Sequence, residues 1–185
     1  MVLVAAGVGA AVAGPAVGAA PARATVDQLS LARSHLAYEV ELIDRVASRV
    51  GPADSGELTR VRATLAGTAD VIGRSLAGRG VSPQQASLRW EALIGDGAPT
   101  DGKVHYTCSL RLQQSDTADL AATPGADVAA ELASIELSLL VEGRQLAAEM
   151  GPGGAGAALA AGQRTALRQL APLLISSDRA FAASA

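Results

Sequence analysis

Three arginines stand at positions where a guanidinium could do chemistry, two in one row and one in a charged break far along the chain. Arg45 and Arg49 lie one helical turn apart, in a row with His35, Tyr38 and Leu42 at 3–4 spacing. Arg144 lies far along the chain in the run Glu142-Gly143-Arg144, which interrupts an otherwise apolar stripe. A guanidinium is a planar fork of donors, so it suits a planar, weakly hydrated monoanion better than an ammonium does. Two such groups on apolar helices are costly to desolvate unless an anion or a carboxylate pairs them. Glu142 can supply that carboxylate itself, which would make the cluster structural. The row on the first helix is either a partly exposed face or the wall of a polar pocket. The break at Glu142–Arg144 is either a solvated edge or a site.

Other chemistries find little material. One cysteine, Cys108, leaves no partner for an intrachain disulfide, and His35 and His105 are too few for a three-histidine zinc site. No H-E-x-x-H, P-loop or G-x-S-x-G run occurs, and the Glu-x-x-His pair of carboxylate di-iron bundles is absent. The sequence predicts neither an enzyme nor a cofactor. An enzyme would need Asp70, Glu142 and His105 to converge in one pocket. A net charge of −3 gives no basic footprint for nucleic acid. Lys103 is the only lysine beside the arginines, so any buried cation here would be a guanidinium.

The elements that must carry these residues read as helices. Hydrophobic residues make up 49% of 185 residues but aromatics only 2%, so the core is Ala, Leu and Val, which lets helices approach closely. The central stretch is Asp127 to Met150, with Val128, Leu132, Ile135, Leu139, Leu146 and Met150 along one face. Asp127 is placed to cap its start, and Gly151-Pro152 stops it. A first helix spans Thr25 to Val50, with Leu29, Leu36, Val40, Ile43, Ala47 and Val50 inward. Gly51 to Gly56 reads as a loop, and a second helix runs from about Glu57 to Ala77 with Leu58, Val61, Leu65, Ile72 and Leu76 inward. Ser82-Pro83-Gln84-Gln85 has the form of a capping box and opens a third helix that ends at Gly95.

Residues 103–112 alternate like a strand, but a lone strand has nothing to pair with, so the segment through Ala122 reads as helix. The last helix runs from about Ala157 to Leu174, with Leu159, Gln163, Leu167, Leu170 and Leu174 on its face. The sequence therefore predicts an all-α, up-and-down helical bundle of about six helices. Ser34, Ala47, Gly51 and Pro52 recur as Ser134, Ala147, Gly151 and Pro152, which points to two hairpin-related halves or to chance in an Ala-rich chain.

Residues 1–24 hold no charge before Arg23 and read as a signal peptide, with Ala22-Arg23-Ala24 as its cleavage site, or as an N-terminal membrane anchor through residues 2–22. Both place the protein outside the cytoplasm, secreted or held at the cell membrane. Residues 25–175 form the bundle domain and 176–185 a flexible tail.

The run GRGVSPQQASLRWEALI, from Gly78 to Ile94, resembles the turn and aromatic-bearing helix of bacterial nitrate- and nitrite-sensing (NIT) domains. The run EGRQLAA from Glu142 is similar to that family's second Glu-Arg helix, and AALAAGQRTALRQL to its closing helix. The resemblance covers roughly residues 26–175. It implies an all-helical sensor that binds nitrate or nitrite through Arg144 and through Arg49 or Arg45, and that passes a signal as a homodimer or to a separate partner. The match departs at Ala47-Ser48-Arg49-Val50, where the first motif's Gln and Glu are missing, and at Gly143, where a Glu is expected. The Glu39-Val40-Glu41-Leu42 run and the Gly80-Val81-Ser82-Pro83 turn also resemble ferritin-like helical domains of exported bacterial proteins, with Asp70 where a histidine is expected. That likeness implies an envelope or interaction protein with no small ligand.

Overall fold

A computed structural model of the chain describes residues 23–86 and 116–184, the last nine as backbone only. Four long helices organise it: α1 (Val26–Val46), α2 (Pro52–Ala77), α3 (Val128–Met150) and α4 (Gly154–Ser184). Shorter helical runs cover 83–86 and 116–122, and no strand occurs among the described residues. The bundle is all-helical, as the sequence predicts. The segment 103–112 and helix 83–95 beyond residue 86 lie outside the described residues, as do residues 1–22.

Each long helix packs on two others, in the closed order α1, α2, α4, α3. Neighbours run antiparallel. Asp44 meets Arg62 across the α1–α2 pair, Gln28 reaches the Glu149 carbonyl at the far end of α3, and His35 reaches that of Leu139. The core they enclose is almost wholly aliphatic: Leu29, Leu36, Leu65, Ile72, Leu132, Leu140, Met150, Leu159 and Leu170 are all fully or almost fully buried. At roughly 1.5–3 kcal/mol for each large aliphatic side chain, this burial is the main favourable term in holding the helices together.

The helix ends follow local chemistry, with several departures from the expected boundaries. Thr25 and Gln28 form a reciprocal capping box on α1: the Thr25 Oγ1 accepts from the Gln28 N–H at 3.1 Å, and the Thr25 N–H donates to Gln28 Oε1 at 2.8 Å. Ser82 and Gln85 repeat the motif at 2.8 and 3.2 Å, as the sequence suggests. Arg79 donates to the Ala24 carbonyl at 2.5 Å, fastening the start of α1 to the end of α2. The supposed loop from Gly51 to Gly56 is instead the first turn of α2. Pro52 sits where a helix needs no N–H, and Asp54 faces the positive end of the helix dipole. Asp127 does not cap α3; its backbone is already near helical and its side chain makes no cap bond. The backbone of α4 continues through Ser184, past Pro172, where a tail was expected.

Both hairpins turn at Gly-Pro, but the turns differ. Gly51 has φ −65°, open to any residue, whereas Gly151 has φ +82°, in the region that favours glycine. The repeated letters therefore do not encode a repeated backbone conformation.

Candidate functional site: a buried carboxyl cluster

The three arginines do not converge. Arg45 is exposed and pairs with Glu41 one turn earlier on α1, at 2.5 Å. Arg49 donates to the carbonyls of Leu120, at 2.6 Å, and Thr123, so its fork closes the open C-terminal end of the 116–122 helix. Arg144 is exposed on α3. The antiparallel register sets Arg144 level with the first turns of α1 and Arg49 just beyond its last. At 1.5 Å rise per residue they stand roughly 20 Å or more apart along the bundle. One small anion does not span that gap. Asp70 is exposed, and His105 lies outside the described residues.

Polar chemistry gathers instead at the centre of the bundle. Glu39 of α1, Glu136 of α3 and Gln163 of α4 are each 0% exposed. Gln163 Nε2 donates to Glu39 Oε2 at 3.2 Å and lies 3.5 Å from Oε1. Both carboxyl oxygens of Glu136 are buried with no hydrogen-bond partner among the described residues, and so is Gln163 Oε1. His35, with 11% of its side chain exposed, lies 3.8 Å from Glu39 Oε1, too far for a hydrogen bond. Its Nε2 is instead 2.9 Å from the Leu139 carbonyl. A carbonyl only accepts, so Nε2 carries the hydrogen and Nδ1 is the bare nitrogen of the neutral ring.

Electrostatics follow from this burial. Desolvation pushes the Glu39 carboxyl up to about 8; the Gln163 N–H opposes the rise and the Glu142 carboxylate adds to it. Burial raises Glu136 well above the usual carboxylate range, and the charges of Glu39 and Asp116 push the same way. Burial lowers His35, against the pull of the Leu139 carbonyl, so the ring is neutral near pH 7. Tyr38 donates to Asp116 Oδ2 at 3.3 Å. Burial, then the Asp116 charge, raises the Tyr38 hydroxyl.

Gly143 makes room for the cluster. A Cβ there would stand 2.4 Å from Gln163 Nε2 and 2.7 Å from its Cδ. The Glu142–Arg144 break thus resolves residue by residue: Glu142 is half-buried beside the carboxyls, Gly143 is buried against Gln163, and Arg144 faces solvent. Gln163 was legible on the inner face of its helix. Glu39 and Glu136 were missed, since glutamate defaults to the surface. Their spacing held the signal: Glu39 falls in the 3–4 series Leu36, Glu39, Ile43, Val46, and Glu136 in Leu132, Glu136, Leu140, Gly143.

Among the described residues, no group of three or more His, Cys, Asp or Glu side chains could hold a metal ion, and no helix is long and apolar enough to cross a membrane. What the cluster can do is hold protons in a desolvated, acceptor-rich setting. No family model, no curated protein and no solved structure matches this chain.

Proposed function

We propose that this chain is an exported helical-bundle envelope or interaction protein of the ferritin-like type, with no small-anion site built from Arg45, Arg49 and Arg144. The observation that supports it best is the meeting of Glu39 and Glu136 in the bundle centre. One inward Glu from each of two helices is half of the ferritin-like carboxylate pattern. The other half is a Glu-x-x-His from each remaining helix, and here α2 brings Thr68 and α4 brings Gln163 to the core. Among the described residues, the acid pair stands without the further ligands that would make it a metal centre.

In this reading residues 1–24 direct or anchor the bundle outside the cytoplasm. Contact with another protein, a second copy or a separate partner, falls to the outer face of α3. Leu137 and Val141 stand there one turn apart, 36% and 47% exposed.

The test sets this reading against nitrate or nitrite sensing. Thermal unfolding of the full chain is followed in nitrate, nitrite and chloride at matched ionic strength. The expected result is one melting temperature in all three. An anion at 100 times its dissociation constant would add roughly 2.7 kcal/mol, several degrees for a chain of this size. Such a rise in nitrate or nitrite alone, lost in Arg144→Ala, would overturn the reading.

A further inference from the structure

We propose that Glu39, Glu136 and Gln163 form a proton-operated latch: α1, α3 and α4 close on the cluster while its carboxyls carry protons and loosen as they ionise. The latch does not depend on the ferritin-like reading; it stands on the local geometry.

The buried atoms are nearly all acceptors. With both carboxyls ionised, among the described residues Glu39 has only the Gln163 amide N–H, while Glu136 Oε1, Glu136 Oε2 and Gln163 Oε1 have no donor. Among the described residues, neither Glu39 nor Glu136 pairs with an arginine. A protonated carboxyl is a donor as well as an acceptor, so each proton supplies what the cluster lacks and removes a desolvated charge. Gln163 links the acid of α1 to α4, and Gly143 admits it against α3, so all three helices close over one polar centre.

Among the described residues, the titratable groups around the pair come from three elements. From α1 come His35 and Tyr38, from α3 Glu142, and from the 116–122 helix Asp116. The buried polar side chain of α2 is Thr68, whose hydroxyl donates to the Thr64 carbonyl at 2.8 Å and does not titrate. From α4 comes Gln163, also without a titration.

The signs separate by pH. Glu39 and Glu136 have raised folded values, so their favourable contribution is complete below about 4.5 and is lost as pH rises toward the folded value, about 8 for Glu39. Asp116 is raised too, by burial first, and acts from its lower acid range upward. His35 is depressed, so its contribution is lost as pH falls below about 6.5. Tyr38 titrates well above neutrality. Among the described residues with a shifted titration, Glu39 and Glu136 are therefore the groups whose contribution falls between pH 6.5 and 8.5, and the paired wild-type and variant measurements separate that loss from any thiol or α-amino group that titrates there.

The experiment is thermal unfolding of the full chain at pH 6.5 and 8.5, with hydrogen exchange of the α1 and α3 amides flanking Glu39 and Glu136, corrected for intrinsic rate. The wild type is expected to lose roughly 4–8 °C over this interval and to lose protection around both residues. The E39Q/E136Q double variant is expected to hold its melting temperature level. Glu39→Gln alone, the milder change, is expected to halve the slope if the double variant does not fold. A wild type level between the two pH values, or a double variant that falls as far, would overturn the latch. So would a wild type whose alkaline loss is restored by manganese or calcium, since a cation would then stand where the proton is placed. An anion-specific shift in the nitrate experiment bears on the function reading and leaves this outcome unchanged.

Discussion

Gly156→Ala is expected to destabilise the bundle by about 1–3 kcal/mol and to lower its melting temperature by roughly 4–10 °C. Gly156 is buried in the first turn of α4, where that helix doubles back over the end of α3. A Cβ there would stand 2.2 Å from the Gly151 carbonyl oxygen, 3.1 Å from Met150 Cβ and 3.2 Å from the Ala147 carbonyl oxygen. Two of those three atoms are backbone, so no side-chain rotation relieves the contact. Gly151 is itself held at φ +82°, which leaves the turn little freedom to shift. Ala is normally the better helix former, worth about 1 kcal/mol over Gly in a helix interior. A melting temperature unchanged or raised in Gly156→Ala would show that the close approach of α3 and α4 is not a constraint.

The second large effect has the opposite sign. Glu136→Gln is expected to stabilise the bundle at pH 8.5 by about 1–3 kcal/mol, and to change it little at pH 5. At the higher pH the wild type holds a buried carboxylate with two unpartnered oxygens beside a second acid. The amide has the same shape, carries no charge and brings two N–H donors to a cluster of acceptors that includes Gln163 Oε1. At pH 5 the wild-type carboxyl is already neutral, so the substitution changes only one donor. Chemical denaturation at both pH values checks this. A Glu136→Gln variant less stable than wild type at pH 8.5 would mean that the carboxylate is paired in solution.

Much of the architecture could be read from residue spacing. All five positions expected on the inner face of α2 are buried, because a 3.6-residue period of Leu, Val and Ile in an otherwise polar segment has one interpretation. The capping box at Ser82–Gln85 was legible for a similar reason, since a hydroxyl and an amide three residues apart have local work to do. Position along the bundle was not legible. Arg45 and Arg49 read as one row, yet Glu41 takes the first and the end of a neighbouring helix takes the second. Arg144 resembled their partner by motif, but which ends of two antiparallel helices meet is fixed by tertiary register, which spacing within a helix does not encode. The buried acids were hidden by the opposite difficulty. Residue type argued for the surface and periodicity for the core, and at Glu39 and Glu136 periodicity was right.

In the latch, Glu39 and Glu136 are protonated inside the folded bundle near neutral pH. Infrared spectroscopy of the carboxyl stretch, on wild type and on Glu39→Gln and Glu136→Gln at pH 6.5, measures this directly. The expected result is a protonated-carboxyl band in the wild type that each substitution diminishes, the part lost in Glu39→Gln fading as pH is raised through about 8. Two ionised carboxylates at pH 6.5, with no band for either substitution to remove, would contradict it.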